Sequence, residues 1–96
     1  MTVYAWDTAK NEWLIRERRI SFERIVLQIE QGGLLDIMHH PDTERFPHQK
    51  IYVVNVDECA YIVPFVESNE HIFLKTIIPS RKATRSYLTT NQGTDQ

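Results

Sequence analysis

A group of basic residues stands where helix physics disfavours it. Ile77-Ile78 reads as the end of an apolar strand and Pro79-Ser80 as a helix start with Ser80 as its cap. Arg81, Lys82 and Arg85 follow, with Tyr87 close behind. The first turn of a helix carries positive partial charge, so a basic side chain there costs about 0.3–1 kcal/mol. A phosphate bound in the same place reverses that cost, because the unpaired N–H groups of a helix start bind anions. Arg81 can grip two phosphate oxygens and Lys82 adds a point charge. Tyr87 offers a face on which a nucleic-acid base can stack. The plainer alternative is that Arg81 and Lys82 pair with strand carboxylates such as Glu67 on a solvated face. The residues themselves leave both readings open.

Other chemistry finds less support. His39-His40 invites a metal, but adjacent strand residues point to opposite faces, and no Cys/His set has zinc spacing. No metal and no cofactor is expected. The chain has three glycines, two of them adjacent, and no phosphate-binding glycine loop. His40 and His48 lie on or beside a long loop, and imidazole titrates near neutrality, so either can act as a general acid or base or stand idle in solvent. No hydrolase triad motif is present. Cys59 reads as a small apolar strand residue.

Charge is unevenly spread over the 96 residues, whose net charge is −2. Residues 30–70 hold eight acids and two bases, whereas residues 71–94 hold no acid and four bases, Lys75, Arg81, Lys82 and Arg85. A basic patch on an acidic chain attracts phosphates or an acidic partner. The length fits one domain, expected over residues 1–88, with a polar flexible tail over 89–96. The single cysteine excludes an internal disulfide and points to a reducing, cytoplasmic setting. The opening MTVYAWD lacks the plan of a signal peptide, and no apolar run approaches the roughly 20 residues of a membrane helix, so no membrane is expected.

The elements that must position these groups follow from periodicity. Residues 3–6 read as a short edge strand. Asp7 caps a helix running to about Arg18, in which Trp6, Ala9 and Trp13 recur at helical spacing beside Leu14. Ser21 caps a second helix with Phe22, Ile25, Val26 and Ile29 on one buried stripe, and Gly32-Gly33 ends it. Residues 34–39, 51–56, 59–66 and 71–78 read as strands, with a long loop between the first two and tight turns at Asp57-Glu58 and Ser68-Asn69, which favour antiparallel neighbours. Pro64 cannot donate to a ladder and predicts an edge or a bulge. In the last strand Ile72, Leu74, Thr76 and Ile78 are expected on one face, and Phe73, Lys75 and Ile77 on the other. Helices first, a four-stranded antiparallel meander, then a C-terminal helix make an α+β fold.

The chain resembles the BrnT family of bacterial type II toxins, small ribonucleases with a RelE-like fold. The similarity begins at Trp6-Asp7 with Lys10-Asn11, continues at Ile20-Ser21-Phe22-Glu23 and returns at Ile77-Ile78 and Arg81-Lys82-Ala83-Thr84. A subgroup matches at GGLLDI, QKIYVV and FLKTIIPSRKAT, so that the likeness spans about residues 4–88. The resemblance implies the RelE-like/BrnT-like form of the α+β fold and metal-independent RNA cleavage that inhibits translation. It also implies a cognate antitoxin with a DNA-binding domain, as a heterotetramer or with the toxin as a homodimer. For such a reaction the chemistry assigns Arg81 to transition-state charge, Lys50 or Lys82 to substrate phosphate, and Glu67 or His40 as the base. Lys10, Arg18, Lys75, Arg85 and Tyr87 are the expected RNA-contacting set. Two positions depart from the family. Glu17-Arg18-Arg19 stands where relatives commonly read Lys-His-Gly, and Phe65 stands about where a histidine is expected. The alternatives are a non-catalytic RNA- or protein-binding regulator on the same fold, favoured by those departures, and a stand-alone nucleic-acid binder.

Overall fold

The structure, a computed structural model, describes residues 3–88, so the expected tail over 89–96 lies outside the described residues. β1 (Tyr4–Ala5) leads into α1 (Thr8–Arg18) and α2 (Phe22–Glu30). Then come β2 (Leu34–His39), β3 (Gln49–Val56), β4 (Cys59–Glu67), β5 (Ile72–Leu74), β6 (Ile78–Pro79) and α3 (Arg81–Tyr87). The class is α+β, with three helices on a mixed sheet. Strand order is β1-β5-β4-β3-β2, with β6 pairing β4 beyond the end of β5. β2 through β5 are antiparallel neighbours, and β1 joins the β5 edge in parallel. No described helix is long and apolar enough to cross a membrane.

The three expected caps are in place. Asp7, Ser21 and Ser80 accept the backbone N–H of Lys10, Arg24 and Ala83 at 3.0, 3.1 and 3.1 Å. Each takes up one of the donors a helix start leaves unpaired. Phe22 and Ile25 of α2 are fully buried with Leu14 of α1, and they pack on Tyr52, Val54, Val63, Phe65, Leu74 and Ile77 of the sheet. Val26, Ile29, Trp6 and Trp13 lie half-buried against this core, and Trp6 stacks on Phe22 at 5.6 Å. Ala9 is exposed, so the expected Trp6–Ala9–Trp13 stripe does not include it. Past α2, Gly33 lies so close to the backbone that an added Cβ would sit 2.9 Å from the Gln28 carbonyl oxygen.

The strand expected over 71–78 is two strands joined by a bulge. Leu74 pairs Phe65 and Ile78 pairs Ile62, so Lys75, Thr76 and Ile77 stand opposite Val63 and Pro64 alone. The Pro64 carbonyl accepts the Lys75 N–H at 2.8 Å. A strand residue's N and O point to the same neighbour, so the donor that proline lacks is missing on the bulged side, and the ladder to β3 is intact. The extra residue also corrects the expected faces. Leu74 and Ile77 are both fully buried, whereas Ile78 is 41% exposed, because a bulge puts two residues where one would stand.

Helices cover both faces of the sheet unequally. α1 and α2 cover one. On the other, the short α3 lays Ala83 on Val53 and Ala60. α3 is clamped to β4 at a single residue. The Ala60 N–H donates to Thr84 Oγ1 at 2.9 Å, and the Ser80 N–H donates to the Ala60 carbonyl at 3.0 Å.

Candidate functional site

That clamp decides where the basic pair goes. Ser80, Ala83 and Thr84 face β4, so Arg81 and Lys82, between them, turn outward and are exposed. Neither forms an ion pair among the described residues. The reading in which they pair with Glu67 is therefore not the arrangement seen. Although adjacent in sequence, the two line different depressions. Arg81 lines an open cleft of ≈ 570 Å³ with Glu58, Cys59, Pro79, Thr84 and Arg85. Lys82 lines a hollow of ≈ 340 Å³ on the other flank of α3, with Met38, Val53, Ile62 and Tyr87. Ser80 belongs to both, so a ligand crossing it reaches both cations.

The carboxylate on the Arg81 cleft is Glu58, which the sequence reading passed over as a turn residue. Asp57 and Glu58 form the whole β3–β4 turn, and both are left-handed, with φ of 53° and 65°. A two-residue hairpin turn of this hand is normally built from Asn-Gly. Two acidic residues in it hold backbone strain next to the cleft. Asn55 Oδ1 accepts the Glu58 N–H at 3.1 Å, and Arg24 pairs with Asp57 at 3.0 Å, which holds the turn in place and leaves Glu58 exposed. The absence of glycine in so tight a turn is the sequence signal that this reading left unused.

The other expected site residues gather at the opposite end of the sheet. Lys50 Nζ donates to Glu67 Oε1 at 2.8 Å, and this bond, then the charge of Lys50, holds the Glu67 carboxyl below its usual range. Glu67 lines a shallow depression with His48. Burial pushes the neighbouring Tyr52 phenol far up, and Tyr4 adds to the shift. His40 accepts the Asp42 N–H on Nδ1 at 2.9 Å, so a neutral ring carries its proton on Nε2, and the ring packs on Phe46 at 4.5 Å. Ala60, where α3 docks, and Glu67 lie seven residues apart along β4, roughly 23 Å, and Lys50 and Glu67 alternate onto the α1/α2 face. The expected catalytic set is thus divided: Arg81 and Lys82 at one end, Lys50, Glu67 and His40 at the other.

The expected RNA-contacting residues are also spread out. Lys10 and Arg18 sit over the Trp13 ring at 4.4 and 5.1 Å, and Arg18 Nη1 donates to the Ile77 carbonyl at 2.6 Å, tying α1 to the bulge. Lys75 is exposed at the bulge. Tyr87 donates its hydroxyl to Asp36 Oδ2 at 2.5 Å, and that bond raises its pKa above the ordinary phenol value. Lys82, Tyr87 and Arg85 therefore surround α3, with Lys75 further along the same edge of the sheet. No group of three or more His, Cys, Asp or Glu side chains able to hold a metal ion occurs among the described residues. No family model matches the chain, and neither a curated protein nor a solved structure matches it.

Proposed function

We propose that the chain is the toxin of a type II toxin-antitoxin system, a metal-independent endoribonuclease of BrnT-like form that inhibits translation. The observation that carries this reading is the outward, unpaired pair Arg81 and Lys82 held on either flank of Ser80, with Glu58 on the Arg81 side. The likeness to BrnT toxins adds support at two points that have physical content. The glycine commonly found there falls on Arg19, which ends α1 with a left-handed φ of 58°, the conformation glycine serves best. The Lys10-Asn11 and Phe22-Glu23 stretches meet: Asn11 accepts the Phe22 N–H and donates to Glu23, both at 2.8 Å.

In this mechanism Glu58 takes the proton of a ribose 2′-OH and the oxygen attacks the adjacent phosphorus. The 5′-oxygen leaves and takes a proton from water, and a cyclic phosphate remains. Arg81 stabilises the added charge on the phosphate oxygens, and Lys82 holds the neighbouring phosphate. Purified protein with single-stranded RNA and EDTA tests it. Arg81→Ala lowers the rate at least ~10²-fold, and Glu58→Gln lowers it ~10²–10⁴-fold. Unchanged cleavage in Arg81→Ala overturns the assignment. A non-catalytic RNA- or protein-binding regulator is the second reading. The distance of His40, His48 and Glu67 from Arg81 favours it, and it requires binding without cleavage and no growth arrest on expression. A neighbouring DNA-binding antitoxin that relieves arrest marks the toxin.

A further inference from the structure

Beyond α3, the described residues leave the sheet face that α3 covers open. Register and alternation put Met38, Ile51 and Pro64 in one row across β2, β3 and β4, with Val66 and Phe73 in the next. α3 packs on Val53 and Ala60 of this face, and its flank borders Ile62 and Met38. Phe73 is 38% exposed and Met38 45%, while Ile51, Pro64 and Val66 are half-buried. The row spans three neighbouring strands, roughly 10 Å. Cations stand at its margins. Lys75 follows Phe73 by two residues at the bulge, Lys82 lines the hollow that includes Met38, and neither forms an ion pair among the described residues. Asp36, which the same alternation places on this face, has its carboxylate taken by the Tyr87 hydroxyl and the Ile37 N–H.

An open sheet with an exposed aromatic ring and flanking unpaired lysines has the chemistry of a single-stranded RNA platform. Bases stack on the ring while the cations follow the backbone. We infer that the strand enters the Arg81 cleft from this face, with one base stacked on Phe73 and its phosphates on Lys75 and Lys82. This inference rests on the proposed function for the identity of the ligand, and it adds the path that ligand takes and the residue that receives a base. Exposed aromatic rings, Phe73 and the Asp36-bound Tyr87, among unpaired cations favour RNA over a polypeptide. An acidic amphipathic segment is the competing occupant.

The test measures binding of the full chain to a single-stranded 2′-O-methyl oligoribonucleotide of about 12 nucleotides, which cannot be cleaved by 2′-OH attack. Phe73→Leu keeps the apolar area and removes the π face. It weakens affinity about tenfold, while Phe73→Tyr binds as the parent. The pair Lys75→Gln and Lys82→Gln flattens the slope of log K against log salt by about 1.4. Thermal unfolding of each variant shows that it is folded. Equal affinity of Phe73→Leu and the parent overturns the platform. So does no oligonucleotide binding at all, or displacement of nothing but an acidic amphipathic peptide from this face. Phe73-dependent binding without cleavage of ordinary RNA keeps the platform and defeats the nuclease reading. Cleavage with an affinity indifferent to Phe73 does the reverse.

Discussion

Arg19 shows how much one backbone angle can cost. Its φ of 58° ends α1 and turns the next N–H, that of Ile20, back to the Leu14 carbonyl at 3.5 Å. A side chain in that region costs roughly 1–2 kcal/mol, and part of the gain from removing it is lost to the greater freedom of an unfolded glycine. Arg19→Gly therefore stabilises the protein by up to about 1 kcal/mol, read as a higher denaturation midpoint at unchanged m. Glu58 poses the same conflict at φ 65° with the opposite expectation for function. There the strained position carries the carboxylate that lines the Arg81 cleft, so a relaxed turn, Glu58→Gly, gains stability and, under the proposed mechanism, loses cleavage.

Asn11 belongs to the scale of elements because it joins two of them. It is the one buried polar side chain among the described residues, 7% exposed, and it satisfies the Phe22 N–H at the start of α2 while donating to Glu23. Removing it strands a buried backbone donor. Asn11→Ala destabilises by about 2 kcal/mol, measured by denaturant unfolding, and leaves Arg81 and Glu58 where they are. An apolar stripe made α2 legible, and the caps Asp7 and Ser21 marked the starts of both α1 and α2, since these signals depend on neighbours in sequence. They missed the joint between the two helices, which depends on a side chain reaching another helix. Pro64 gives a second instance. A bulge or an edge was readable from the missing N–H, yet which of the two, and hence which residues of 72–78 face the core, depended on β6 pairing β4.

The whole molecule divides the expected catalytic residues between two ends of one sheet. Lys50 and Glu67 bind each other at one end, and α3 and the β3–β4 turn bring Arg81 and Glu58 together at the other. Stability and activity should consequently respond to different carboxylates. The folded Glu67 pKa lies below its unfolded value near 4.5, so its contribution is present above that pH and is lost as pH falls through the folded value. Glu67→Gln flattens the decline of melting temperature below pH ~4.5. The exposure of both partners keeps the effect small.

The sequence by itself determined the α+β class, the helix starts at Asp7, Ser21 and Ser80, and the unusual basic pair after Pro79-Ser80. Each of these is written in local periodicity, in a capping side chain or in charge order. Tertiary structure alone decided which acid shares the Arg81 cleft, that Lys50 and Glu67 lie at the far end, and that the described residues leave the face carrying Phe73 uncovered. Those outcomes come from strand register and from α3 docking on Ala60, and register joins residues far apart in the chain through backbone hydrogen bonds that residue types do not encode.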